Sequence, residues 1–210
     1  ILSNSIIVVN EDTGAYKYID YENLLSYAAT SSSIEANGLD VEGQITSAIV
    51  AVSSTDLPTM YYTGGHGETM LSDAFQKAVS KQNIILKNLN MYTSTEIPED
   101  CDVLFLNGPI YDLSEEDTAL VKEYMENGGH VIVMLANSEE EMPNLDSLLS
   151  YYGVIRHPGI VVESTGYYLG TYRTYLLPKV GYYMSITRVF SDGLTVILPM
   201  TQGLTKVDDV

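Results

Sequence analysis

The chain has 210 residues, enough for one large domain or for a domain with an appendage. Its 28 acidic and 10 basic residues give a formal charge of −18, which repels phosphate backbones and anionic lipid headgroups. This balance predicts no nucleic-acid partner. The single cysteine excludes an internal disulfide and a cysteine metal cluster. No apolar run approaches the ~18 residues that a membrane-spanning helix needs.

Residues 1–55 are predicted to form an N-terminal extension that packs on the core of the domain. Their pattern indicates a short hairpin, a helix with Asp20 as its N-cap, a polar loop and an amphipathic helix. The predicted ranges are strands at 5–10 and 16–19, a helix at 21–29, a loop at 31–38 and a helix at 41–52.

Residues 56–165 alternate between strands and helices and are predicted to form the core. Such alternation is typical of a parallel sheet with helices on both faces, so we predict one α/β domain with a three-layer, mostly parallel sheet. Four of the strands should be parallel neighbours, and those at 103–106 and 131–135 are apolar enough to be buried on both faces. The predicted strands are 59–63, 83–89, 103–106, 131–135 and a short one at 159–162; the predicted helices are 68–81, 114–127 and 143–152.

Residues 166–210 form a tyrosine-rich C-terminal extension with weaker periodicity. A short helix at 185–191 and a last strand at 195–198 are predicted there. Eight of the 17 tyrosines fall between 151 and 183, and they could face a partner or a sugar. Packing in the core or along an edge strand explains them equally well.

A glycine-rich turn follows the strand at 59–63, and its residues are Gly64, Gly65, His66, Gly67 and Glu68. Ligands of open α/β sheets bind where strands lead into helices, and glycines let the backbone approach closely there. The turn could bind a small polar or sugar-like ligand, or the glycines could serve only a sharp turn with Glu68 at the helix start. Phosphate is disfavoured because Glu68 is negative. We expect His66 to lie exposed at the tip.

Polar residues after two other predicted strands should lie at the same edge of the sheet as His66. Asn107 and Gly108 follow one strand, and Asn137 follows another. These residues could line a shared crevice with the glycine turn, although every sheet has such an edge and many are empty.

No catalytic residue, metal site or cofactor is predicted. An amidotransferase needs a cysteine in a sharp turn after a strand, whereas Cys101 precedes its strand, at the opposite end of the predicted sheet from His66. His130 also precedes a strand. The acidic runs 115–117 and 139–141 lack the alternating ligand spacing of a calcium loop.

The chain resembles the auxiliary component of the gliding-motility type of ABC transporter (GldG-like proteins). The resemblance covers about residues 42–165 and, more weakly, 166–210. The motifs that carry it are Thr63-Gly64-Gly65-His66-Gly67-Glu68, Ile97-Pro98-Glu99-Asp100-Cys101-Asp102-Val103-Leu104, Asn107-Gly108-Pro109, Asp112-Leu113-Ser114-Glu115-Glu116, Gly128-Gly129, Pro143-Asn144-Leu145 and Tyr152-Gly153-Val154.

The resemblance implies a fold like flavodoxin or class I glutamine amidotransferases. It also implies an extracytoplasmic domain on the bacterial cell membrane, tethered by membrane helices outside this chain, with ABC permease and ATPase subunits as partners. The chain begins at Ile1, so we expect a longer protein. The leading interpretation is a non-catalytic accessory domain. The alternatives are a hydrolase or amidotransferase-like enzyme that uses the His66 crevice, and a carbohydrate-binding module.

Overall fold

The fold is given by a computed structural model that describes residues 4–29, 34–138, 140–179 and 196–207. The chain divides into two compact units. The first consists of Ile1–Tyr62, Leu71–Asn88 and Pro98–Leu104, and the second of Thr63–Met70, Leu89–Ile97 and Phe105–Val210.

The N-terminal residues form two antiparallel strand pairs and a helix. The first pair is the predicted hairpin, in which Ile6 lies opposite Ile19 and Val9 opposite Tyr16. The predicted amphipathic helix is also present, so both of these predictions are confirmed. In chain order the elements are β1 (Ile6–Val9), β2 (Tyr16–Ile19), a 3-10 turn (Tyr21–Leu24), β3 (Leu25–Ala29), β4 (Ile34–Leu39) and α1 (Val41–Ser53).

The helix predicted over 21–29 is wrong, and so is the loop predicted over the described part of 31–38. Only a single 3-10 turn forms, and β3 then pairs antiparallel with β4, with Leu25 opposite Leu39 and Ala29 opposite Ile34. Pairing with β4 gives the N–H and C=O groups of β3 the hydrogen-bond partners that they would otherwise find within a helix. This pairing outweighs the weak helical preference of the sequence at 21–29.

A parallel sheet of four described strands flanked by helices forms the centre of the α/β fold, as predicted. The strand order is β6-β5-β7-β8. The elements are β5 (Thr59–Gly64), α2 (Asp73–Lys81), β6 (Ile85–Asn90), β7 (Val103–Asn107), α3 (Glu115–Glu126), β8 (His130–Met134) and α4 (Pro143–Tyr151).

Strands β7 and β8 differ in burial although both are apolar. Leu104, Phe105 and Leu106 of β7 are buried, so side chains on both faces of this inner strand are covered. Strand β8 lies at the edge of the described sheet, and Ile132 and Met134 are about half exposed. The prediction that β8 is buried on both faces is therefore wrong, because one of its faces is uncovered in the described residues.

Helix α3 begins where the sequence indicates. The Ser114 hydroxyl accepts from the Asp117 N–H at 2.9 Å, and the Asp117 carboxylate accepts from the Ser114 N–H, which completes a capping box. Helix α2 does not begin at Glu68 as predicted. It begins at Asp73, with the Ser72 hydroxyl accepting from the Phe75 N–H.

The C-terminal part contains short antiparallel pairs. The strand predicted over 159–162 is wrong: residues 154–156 form the strand, and Gly159 has a φ of +89°, which breaks an extended chain. The predicted helix at 185–191 lies outside the described residues, as does the start of the strand predicted at 195–198. Strand β9 (Val154–Arg156) pairs with β13 (Leu204–Lys206), and β11 (Tyr172–Leu176) pairs with β10 (Tyr168–Leu169) on one side and with β12 (Leu198–Pro199) on the other.

Candidate functional site

The glycine turn follows β5 directly and uses the conformational freedom of two of its glycines. Gly65 has a φ of +125° and Gly67 a φ of +74°, conformations that side-chain-bearing residues adopt at a cost. At Gly67 the packing is also close, since a Cβ there would lie 2.5 Å from Ile110 Cγ1. These two glycines therefore serve the backbone conformation of the turn.

His66, at the centre of the turn, is buried. Its exposed fraction is 1%, so the prediction that it lies exposed at the loop tip is wrong. Ile110 and Tyr111 lie over the turn. Their N–H groups hold them there by donating to the His66 carbonyl at 2.9 and 3.0 Å. The Tyr92 ring lies against the imidazole, with 5.1 Å between the ring centroids.

Two buried carboxylates flank the His66 ring. Nδ1 lies 3.7 Å from Glu68 Oε1, and Nε2 lies 3.1 Å from Asp117 Oδ2. Neither ring nitrogen makes a hydrogen bond of normal geometry, and Nδ1 is also too far from Glu68 Oε1 for one. The attraction is therefore between opposite charges. Glu68, His66 and Asp117 form a cluster that we call the buried triad.

Glu68 is directed back into the turn, which explains why no helix begins there. Its carboxylate accepts from the His66 N–H at 2.7 Å and from the Thr63 hydroxyl at 2.9 Å. The next residue, Thr69, is bound on both sides by Asn107: the Asn107 amide donates to the Thr69 carbonyl at 2.6 Å, and the Thr69 N–H donates to the Asn107 carbonyl at 3.1 Å. The first of these bonds uses the Thr69 carbonyl, which would be an acceptor for a later N–H in a helix beginning at Glu68.

The triad shifts the pKa values of two of its members. The side-chain interaction with Glu68 and the charge of Asp117 raise the pKa of His66, and burial opposes them only in part. Burial alone would raise the pKa of Glu68, but its interactions with His66 and Thr63 bring that pKa below its ordinary value. The arrangement therefore favours an imidazolium beside an ionised Glu68.

This pairing predicts a stability optimum in mildly acidic solution. A raised His66 pKa contributes stability that is complete below the ordinary value of 6.5 and is lost as pH rises through the folded-state pKa. A lowered Glu68 pKa contributes stability above the ordinary value of 4.5 that is lost as pH falls. Urea unfolding from pH 5 to 9 should show stability falling above about pH 6.5. The decline should disappear in His66→Gln and persist in His130→Gln; an equal decline in both variants would contradict the assignment.

The structure brings some of the other predicted residues to the turn. Asn107 binds Thr69, the residue that follows the turn. Gly108 has a φ of +69°, and its N–H donates to the Met134 carbonyl at the end of β8. Asn137 is exposed, and it is the next residue, Ser138, whose hydroxyl donates to the Ile110 carbonyl at 2.9 Å.

Sequence reasoning missed the contribution of Asp117. The Ser-x-x-Asp pattern marks it as a capping residue at the start of α3, but nothing in the pattern shows that its carboxylate also faces His66. Sequence reasoning also missed Tyr92 and the residues at 110 and 111, which enclose the turn.

Apolar side chains stay exposed around the turn. Met70 is 91% exposed, Tyr92 69%, Tyr111 55% and Ile110 37%. We call these four residues the apolar rim. The Gly67 backbone packs against Ile110 and Tyr111, so the buried triad and this part of the rim form one packed arrangement.

Comparisons with known proteins define the class of the chain. A family model described as "ABC-type uncharacterized transport system" matches residues 34–206. The protein belongs to this family of auxiliary components, and it has an accessory role in an ABC-type transport system.

The fold is also found among solved structures. The mmIFT52 N-terminal domain is similar, with a TM-score of 0.54 and 19% sequence identity over 72% of this chain and 69% of that chain. At this identity the similarity concerns the fold alone. A search of the curated proteins finds no match.

No helix of the described residues is long and apolar enough to span a bilayer. The same residues contain no group of three or more His, Cys, Asp or Glu side chains that could hold a metal ion.

Proposed function

We propose that this chain is a non-catalytic, extracytoplasmic accessory domain that binds the permease of its ABC transport system through the apolar rim. The observation that carries the proposal is an exposed apolar surface built on a rigid polar support. Met70 and Tyr111 are exposed, while the turn behind them is fixed by the buried triad and by Asn107. Exposed apolar side chains over an ordered backbone suit a protein-binding surface.

The burial of His66 supports binding in preference to catalysis. A general acid or base must reach its substrate within about 3 Å, but this imidazole is 1% exposed and flanked by two carboxylates. On this view the glycines at 64, 65, 67 and 108 allow the backbone conformation of the turn and its surroundings. Glu68 and Asn107 hold that backbone in place through their hydrogen bonds. On this proposal, the predicted site residues at the turn position the rim and do not contact a small ligand.

Family membership and the resemblance to GldG-like proteins support the choice of partner and location. An accessory component acts beside the other components of its transport system, and GldG-like proteins act beside an ABC permease. The strongly acidic chain favours a protein partner over an anionic lipid surface, because its charge of −18 repels such a surface. We therefore propose that the apolar rim binds the extracytoplasmic loops of the permease.

Site-specific photo-crosslinking in cells that produce the full-length protein with its transporter tests the partner. A photoreactive amino acid at Met70 or Tyr111 should crosslink to the permease. The same amino acid at Tyr21, which is 54% exposed and lies outside the rim, should not. Equal crosslinking from all three positions, or none from the rim, would contradict the proposal.

A cysteine reporter tests the location. The native Cys101 is buried, so Tyr21→Cys adds an exposed thiol to this chain, and the same protein without the substitution gives the background. A membrane-impermeant maleimide should label this variant in intact cells. Labelling only after the cells are broken would place the domain in the cytoplasm and reject the extracytoplasmic part of the proposal.

A further inference from the structure

An open cavity of about 630 Å³ lies within the first compact unit. Its walls come from β2, α1, α2 and the segment 83–86. The walls combine apolar side chains, among them Ile19, Val52 and Ile84, with lysines and side-chain amides. A volume of this size is ample for a small organic molecule.

The charge of the cavity is opposite to that of the chain. Lys17, Lys77 and Lys81 line it, whereas no carboxylate is present among its described lining residues. These are three of only ten basic residues in a chain that carries 28 acidic ones. Lys81 is neutralised by an ion pair with Asp40. Lys17 and Lys77 make no ion pair with a carboxylate of the described residues, so they leave the cavity positive.

Lys17 is held in place by neutral groups. Its ammonium donates to Asn83 Oδ1 at 2.6 Å, to the Ser80 carbonyl at 3.0 Å and to Ser47 Oγ at 3.3 Å. Burial lowers the pKa of Lys17, as expected for an ammonium that lacks a counter-charge.

The support beneath Lys17 is itself fixed. The buried Asn83 amide donates to the Ser47 carbonyl at 2.9 Å, and the Ser47 hydroxyl donates to the Lys81 carbonyl at 2.6 Å. The three neutral acceptors engage all three N–H donors of Lys17 but leave its charge without a carboxylate partner among the described residues. An incoming anion would supply that charge, either across the cavity or by replacing the longest bond, the one to Ser47 Oγ at 3.3 Å.

We infer that this cavity binds a small organic anion, with its charged group near Lys17 and Lys77 and its apolar body against Ile19, Val52 and Ile84. The acidic surface elsewhere repels anions, so binding depends on the positive charge of the lysines that line this cavity. An inorganic anion would leave the apolar wall unused. The site does not involve the glycine turn or the apolar rim and is independent of the permease proposal.

A matched pair of fluorescent probes tests the inference. 1-Anilinonaphthalene-8-sulfonate carries one negative charge, and N-phenyl-1-naphthylamine has the same aromatic body without the charge. The sulfonate should bind more tightly to the folded wild-type protein. Its affinity should fall about tenfold in Lys17→Gln and about threefold in Lys77→Gln, since each variant removes one positive charge. The affinity of the neutral probe should stay unchanged in both variants.

Lys122→Gln is the control, because Lys122 is a partly exposed lysine on α3 that does not line the cavity. It should bind the sulfonate like the wild type. Sulfonate binding that survives both cavity substitutions, or that weakens equally in the control, would overturn the inference. Circular dichroism confirms that each variant is folded. Should Lys17→Gln fail to fold, the exposed Lys77 decides the outcome alone.

Discussion

Gly67→Ala is expected to lower the free energy of unfolding by about 3 kcal/mol. About 1–2 kcal/mol comes from placing a Cβ on a left-handed backbone, since Gly67 has a φ of +74°. A further ~1–3 kcal/mol comes from overpacking, because the new Cβ would lie 2.5 Å from Ile110 Cγ1 and 3.0 Å from Tyr111 Cδ2. Urea unfolding monitored by circular dichroism measures the change.

Gly128→Ala separates the two contributions. Gly128 has a φ of +92°, but a Cβ there would meet nothing within 4 Å. We expect a loss of about 1 kcal/mol from backbone conformation alone. Equal losses at the two glycines would show that the packing of Gly67 against Ile110 and Tyr111 adds nothing to stability.

His66→Ala is expected to cost about 3–5 kcal/mol, the usual loss when one partner of a buried ion pair is removed. The substitution leaves the carboxylates of Glu68 and Asp117, whose side chains are 4% and 6% exposed, without the positive charge between them. It also opens a cavity where the imidazole packs against Tyr92. Chemical denaturation at pH 6, where the raised pKa of His66 and the lowered pKa of Glu68 favour the charged pair, gives the largest effect.

Two further variants test whether charge or volume causes this loss. His66→Ala combined with Asp117→Asn should be less destabilised than the sum of the two single variants, because one unpaired charge is removed. His130→Ala should change stability by less than about 0.5 kcal/mol, since that residue is exposed at the start of β8. Strict additivity in the double variant would show that the charges in the triad do not interact.

The parallel sheet was predictable because local sequence and burial agree there. The run 103–106 is apolar throughout, and Leu104 to Leu106 are buried. The start of α3 was equally clear, because a hydroxyl followed by acids satisfies the free N–H groups of a first helical turn. In such segments the chemistry of a few neighbouring residues is enough to determine the element.

The errors fall where distant residues determine the outcome. Strand β3 forms because β4 supplies its backbone partners, although its own sequence is compatible with a helix. The turn at His66 has the polar composition of an exposed loop, yet Tyr92, Ile110 and Asp117 enclose it. The sequence locates the glycine turn, but the burial of His66 depends on contacts between residues far apart in the chain, which no local pattern encodes.

Asp117 belongs to two structures at once, since its carboxylate accepts from the Ser114 N–H at the start of α3 and also faces His66. If the first turn of α3 opens, the Asp117 carboxylate moves away from His66. If the glycine turn opens, that carboxylate loses the His66 charge that faces it. The first turn of the helix and the glycine turn should therefore open as one cooperative unit on the time scale of amide hydrogen exchange. The N–H groups of His66, Ile110, Tyr111 and Asp117 would then exchange with a common opening free energy, whereas those of the exposed hairpin at 10–15 would exchange independently.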